Sequence, residues 1–227
     1  MNALEIFERI NNARDKANRS KDEKIYFTAV SKTRTIQEMQ EVEKFSCIDF
    51  FGENRIQEAA QKNSIYGQKR VPWRLIGHLQ ANKVRKAIEI FDYIDSVDSI
   101  EIAARINRVA AESGRTIKIL IEVNTSGESS KTGIDPENFS RLCDSVMLMK
   151  NLALDGLMTV GPITDSEREI RSAFANLREL CERARISTGL AMPVLSMGMS
   201  GDFESAILEG STMVRIGTLL FGVRNYA

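Results

Sequence analysis

Eight short runs of β-branched, aliphatic and aromatic residues recur along this chain, and longer charged stretches with helical spacing separate them. The runs fall at 26–30, 47–51, 73–76, 93–97, 117–123, 154–160, 193–197 and 213–216. Near-continuous apolar strands imply a sheet buried on both faces. Regular strand–helix alternation implies that the sheet is parallel and covered by helices. The helical segments carry their own start signals. In 35–45, Ile36, Met39, Val42 and Phe45 share a face. Ser99 and Ser166 stand where N-caps belong, and Pro136 suits a first helical position. Eight units closing on themselves predict an α/β fold, a single (β/α)8 TIM barrel spanning 1–227, with an extra N-terminal helix from the amphipathic stretch 1–13. An open doubly wound sheet is the alternative; the count of eight and the lack of a GxGxxG fingerprint weigh against it.

Composition narrows the function classes. The 31 basic and 31 acidic residues cancel, whereas nucleic-acid binders carry a basic surplus or face. The locally basic stretch 83–86 is followed by Glu89 and Asp92 and reads as a solvated helix face. Three scattered cysteines and one histidine, His78, offer neither a disulfide framework nor a metal-ligand cluster. The N-terminal stretch lacks the apolar run of a signal peptide, and no window approaches 18 apolar residues. A cytoplasmic protein without metal, nucleic-acid or membrane partners is expected.

In a barrel of this kind function sits at the C-terminal strand ends. Those are the places where this sequence turns polar: Lys32, Asn54, His78, Asn124, Ser200, and Arg215 to Thr218. Lys32 closes the first run. Partial desolvation and a neighbouring cation such as Arg215 would lower its pKa, and a neutral amine can condense with an aldehyde. The other reading is a lysine that reaches out to solvent. Segments 196–202 and 210–218 are rich in small residues, which lets backbone amides approach a phosphate; they serve equally well as tight turns. Arg215 alternates with Val214 and Ile216 and so points inward, toward either a ligand ring nitrogen or an acid such as Glu122. Asn54 and Asn82 suit either ligand contact or helix capping. Lys83 is a second candidate amine, set in a helix, and His78 is a loop residue that can line the mouth.

Five stretches, 29–32, 51–54, 73–83, 195–202 and 214–222, together resemble the YggS/PROSC family of pyridoxal 5′-phosphate (PLP)-binding homeostasis proteins. The resemblance implies a fold like the N-terminal domain of alanine racemase and a Schiff base between PLP and Lys32. It implies phosphate contacts from Ser200, Gly217 and Thr218, with Arg215 near the pyridine ring and Asn54 lining the pocket. Arg74 departs from the family, which commonly has histidine after the tryptophan, and little effect on the cofactor is expected. Racemases of this fold type add a second domain and a tyrosine base. Only nine residues follow Thr218, and Tyr26, Tyr66, Tyr93 and Tyr226 stand at no obvious catalytic position. The expectation is therefore a monomeric carrier or regulator of PLP, serving PLP-dependent apo-enzymes, with no catalytic residue. The rivals are a small amino-acid racemase or decarboxylase using His78 or Lys32 as base, and a phosphate-binding barrel that uses no PLP.

Overall fold

A computed structural model describes residues 1–67, 69–128 and 131–223. Eight parallel strands close in sequence order: β1 (Tyr26–Val30), β2 (Phe50–Glu53), β3 (Trp73–Leu75), β4 (Tyr93–Val97), β5 (Ile117–Glu122), β6 (Leu152–Met158), β7 (Val194–Ser196) and β8 (Met213–Ile216), with β8 pairing back onto β1. The helices are α1 (Ala3–Lys16), α2 (Ile36–Glu43), α3 (Ile56–Tyr66), α4 (Val84–Ile90), α5 (Ile100–Glu112), α6 (Phe139–Met147), α7 (Glu167–Thr188), α8 (Phe203–Leu208) and α9 (Thr218–Phe221). Short 3₁₀ turns, Ala81–Lys83 and Pro136–Asn138, lead into α4 and α6. The closed barrel replaces the open-sheet alternative.

The caps behave as their chemistry dictates. Thr35 and Glu38 form a reciprocal capping box on α2, and Asn2 and Glu5 do the same on α1. Ser99 and Ser166 cap α5 and α7. The extra helix α1 buries Ala3, Ile6, Ile10 and Ala13. It is tied to α8 by Arg9, which bonds both oxygens of Glu204 and lies 4.9 Å from the centroid of the Phe203 ring.

Two strands, β2 and β6, differ from the sequence expectation by two residues or more at an end, and three others by one. β2 begins at Phe50 rather than at 47 because Cys47 and Ile48 belong to a turn that follows α2, in which the Ile48 amide bonds the Phe45 carbonyl. Cys47 is buried against helix α1, where its thiol meets the Ala3 carbonyl, and not by the sheet. β6 spans 152–158 rather than 154–160 because Leu152 and Ala153 already pair with Ile117 and Lys118.

The main core lies between the barrel wall and the helices. A smaller cluster of Phe50, Leu120, Met158, Val194 and Met213, flanked by Tyr26 and Tyr93, fills the barrel near its N-terminal end. Arg74 also lies there, fully buried, with its Nε and Nη2 2.7 and 2.9 Å from the two Asp95 oxygens. Its guanidinium sits 4.6 Å from the Phe50 and 4.1 Å from the Tyr93 ring centroid. Pairing and ring faces together satisfy a charge that could not otherwise be buried. The unusual Arg74 thus belongs to the barrel floor. Among the described residues no helix is long and apolar enough to cross a membrane, and no group of three or more His, Cys, Asp or Glu is arranged to hold a metal ion.

Gly156 marks the tightest point of the wall. The β5–β6 register shifts between Ile119 and Leu120, a bulge that leaves Asp155 between the partners of those residues. Gly156 there has φ +151, and a Cβ would fall 1.8 Å from the Val194 carbonyl oxygen. We expect Gly156→Ala to cost about 3 kcal/mol or more, since both backbone conformation and contact forbid the methyl group. Urea denaturation of the two proteins measures the loss.

Candidate functional site

The strand ends converge on one face, and a cavity of about 290 Å³ opens there between the ends of β1, β7 and β8. This is close to the lower bound of roughly 300 Å³ for small-molecule sites. Its wall is made by Val30, Lys32, Arg34, Met199, Ser200, Gly201, Arg215, Gly217 and Thr218. Five of the six residues singled out from the sequence meet in this space. Asn54 does not line it. It follows β2, and its side-chain Oδ1 is buried without a hydrogen-bond partner.

Lys32 stands in a turn beyond β1 rather than within the strand. The ladder carries on as far as Ser31, whose amide bonds the Gly52 carbonyl, and the chain then breaks away. Thr33 follows with φ +64, a left-handed conformation that β-branched residues rarely adopt. Arg34, which the sequence reading passed over, lies two residues further along the same turn. It reaches the Gly222 carbonyl, pairs with Glu38 and lies 5.5 Å from the Phe221 ring centroid, so it ties the β1 turn to the segment after β8.

Opposite Lys32, the Ser200 hydroxyl accepts from the amides of Gly217 at 3.3 Å and Leu219 at 3.2 Å. Two backbone donors therefore converge on one oxygen. Gly201 has open space where a side chain would start, and a Cβ on Gly217 would contact Val30 at 3.4 Å. Small residues thus keep the backbone accessible, as an oxyanion requires.

Arg215 is 3% exposed and points into the barrel. Its Nη1 donates to the Ser196 carbonyl at 2.7 Å and to the Ser196 hydroxyl at 2.8 Å, and its Nη2 to the Thr159 carbonyl at 2.7 Å. These oxygens take the place of the Glu122 pairing held open above. The Glu122 carboxylate instead accepts from Thr132 Oγ1 at 2.6 Å, and its second oxygen is buried without a partner. Burial pushes the Glu122 carboxyl above the ordinary range and Asp98 adds to this, while Thr132, Arg215 and His78 oppose it.

The remaining candidates lie apart from the cavity. His78 is half exposed and its Nδ1 is 3.1 Å from Asp98. Asn82 and Lys83 belong to the 3₁₀ turn before α4, and Asn54 caps nothing, because the N-cap of α3 is Arg55. Asn124 bonds the Glu128 carbonyl. Tyr226 lies outside the described residues.

Residues 5–225 match the family described as alanine racemase, N-terminal domain. A pyridoxal phosphate homeostasis protein of Aquifex aeolicus is 38% identical over 231 residues, which cover 100% of each chain. The protein of the same name from Pseudomonas aeruginosa is 40% identical over 87% of this chain and 84% of its own. The chain belongs to the pyridoxal phosphate homeostasis protein family. PipY of Synechococcus elongatus, whose structure was solved with PLP bound, superposes with a TM-score of 0.81 at 32% identity, covering 94% of this chain and 100% of that one. An alanine racemase of Clostridium difficile, 16% identical, superposes with a TM-score of 0.74 over 97% of this chain and 60% of its own; that likeness is one of fold alone.

The buried Glu122 gives a pH test of the barrel interior. Its folded pKa is raised, so the native state binds the proton more tightly than the unfolded chain does. Stability therefore falls as pH rises from the ordinary carboxylate range through the folded pKa, and the full cost applies above it. Glu122→Gln keeps an oxygen for Thr132 and removes the charge. We expect it to melt higher than the parent at about pH 8 and to lose that advantage near pH 4.

Proposed function

We propose that this protein holds PLP covalently on Lys32 and acts as a cytoplasmic, monomeric carrier or regulator of the cofactor for PLP-dependent apo-enzymes, without turnover of its own. The observation that carries the reading is the meeting of Lys32 with the Ser200–Gly217–Thr218 segment across a single cavity. When bound, PLP supplies an aldehyde that condenses reversibly with a lysine amine and a phosphate that needs hydrogen-bond donors.

The residues present fit that group. Lys32 lines the same cavity as the Ser200 hydroxyl, around which two backbone amides already gather. Ser200 would hold the phosphate with its hydroxyl, and the Gly217 and Thr218 backbone would complete the cradle. Arg215 brings a permanent charge to the cavity floor. With its Nη groups committed to Ser196 and Thr159, it orients the ring without giving up a proton. The unpaired Asn54 oxygen offers a buried acceptor at the neighbouring strand end.

The absence of turnover rests on the same wall. Among the described lining residues there is no carboxylate, histidine or tyrosine to move a substrate proton; Lys32 is the sole amine, and the two arginines stay charged. Relatives that share the alanine racemase N-terminal domain fold carry a homeostasis name, which agrees with a binding role.

Purified protein mixed with PLP should turn yellow, and borohydride should then fix one cofactor on the peptide containing Lys32. Lys32→Ala should abolish the label. Ser200→Ala should weaken PLP binding about tenfold, the effect of losing one charge-assisted hydrogen bond. A label that persists in Lys32→Ala, or that is missing from the parent, overturns the assignment. Exchange of an amino-acid α-proton into deuterated water at a robust rate would favour a racemase or decarboxylase instead.

A further inference from the structure

The turn that carries Lys32 is gripped from behind by charges that the cavity does not contain. Lys62, on α3, is 7% exposed. Its Nζ donates to the Ser31 carbonyl at 2.7 Å and lies 2.6 Å from both Glu53 Oε1 and Glu58 Oε1. The same Glu53 oxygen accepts from the Ser31 hydroxyl at 2.7 Å, and Glu53 is fully buried. On the other side of Lys32, the Thr33 amide donates to Glu58 Oε1 at 2.5 Å.

The two neighbours of Lys32 are thus fixed by one carboxylate–ammonium–carboxylate cluster, in which Glu53 and Lys62 are buried and Glu58 is partly exposed. Ser31 is held through its carbonyl and its hydroxyl, and Thr33 through its amide. Glu58 and Lys62 are one helical turn apart and so share a face of α3, while Glu53 ends β2. The next strand–helix unit of the barrel therefore sets the geometry of the turn. Thr33 at φ +64 fits this reading, because a strained conformation persists only where the surroundings over-determine it.

We propose that Glu53, Glu58 and Lys62 are positioning residues for Lys32: they hold the turn so that its amine projects across the cavity toward the Ser200–Gly217 cradle. This rests on the PLP reading above. The cluster touches no ligand in this role. It acts by denying the turn other conformations, and an amine displaced by about an ångström would meet the aldehyde far less often.

The test is the rate at which apo-protein forms the yellow species after mixing with PLP, with borohydride mapping at the end point. Glu58→Ala removes the acceptor of the Thr33 amide and should slow the reaction about tenfold. Glu58→Gln keeps an acceptor oxygen and should restore most of the rate, a rescue that bulk helix stability would not produce. Lys62→Met should slow it at least as much. If that variant does not fold, Ser31→Ala deletes a single hydroxyl and should slow it about threefold. Melting of each apo-protein is measured alongside. A folded Glu58→Ala that reacts at the parental rate, or a Glu58→Gln as slow as Glu58→Ala, overturns the clamp while leaving PLP binding standing. A parent that takes no label at Lys32 overturns the cofactor reading, and the clamp with it.

Discussion

The barrel has its shortest strand pairing between β7 and β8, and the Arg215 side chain reinforces a seam that backbone bonds such as Met197 N–H to the Met213 carbonyl already cross. The two strands share one register pair, Ser196 with Met213, whereas β5 and β6 share six. From β8, the Arg215 side chain bonds the carbonyl and hydroxyl of Ser196 on β7 and the carbonyl of Thr159 just beyond β6. One buried guanidinium thereby fastens three strand ends. Burial draws its pKa below the ordinary value while Asp95, Glu122 and Asp202 oppose the shift. Without the seam closed, Ser200 and Gly217 would not face each other, and the two converging amides would have no common oxygen. The arginine that lines the cavity thus also helps to keep its walls in register.

The barrel interior is accordingly polar in its upper half. Below, aromatic and aliphatic side chains fill the lumen, as short barrels require. Arg74 and Asp95 pair among them at the floor, and Glu122 and Arg215 stand above, two cations and two carboxylates in all. An all-apolar filling would pack as well and cost less desolvation. What the charges add is direction, because guanidinium and carboxylate bonds fix strands at set heights, whereas apolar contacts tolerate sliding.

Much of this was legible in the sequence, for identifiable reasons. Strand ends are where a buried apolar run meets the barrel mouth, so the switch to polar residues at Lys32, Ser200 and Thr218 pointed to residues that line one cavity. Helix starts were visible because Thr35, Ser99 and Ser166 cap through local bonds. The edges of β2 and β6 were not, because burial of Cys47 under α1 looks the same in sequence as burial in a sheet. Arg215 illustrates the limit. Its inward direction followed from alternation, but its partners are main-chain oxygens of other strands, which no residue type announces. Lys62 and Glu53 were silent for the same reason: their pairing joins α3 to a turn some 30 positions away, and only the folded barrel brings them together.

If the protein binds PLP without turnover, as proposed, the lining of the cavity accounts for it. Catalysis on a bound cofactor needs a group at the cavity that gives and takes a proton near neutrality. The titratable groups of the interior are placed elsewhere: Glu122 bonds Thr132, Asp95 bonds Arg74, and His78 bonds Asp98 outside the cavity wall. None of the three lines the cavity, although Glu122 keeps one oxygen unpartnered. On that reading the mouth keeps what reversible attachment requires, an amine and an anion cradle, while these carboxylates and the imidazole stand outside its lining.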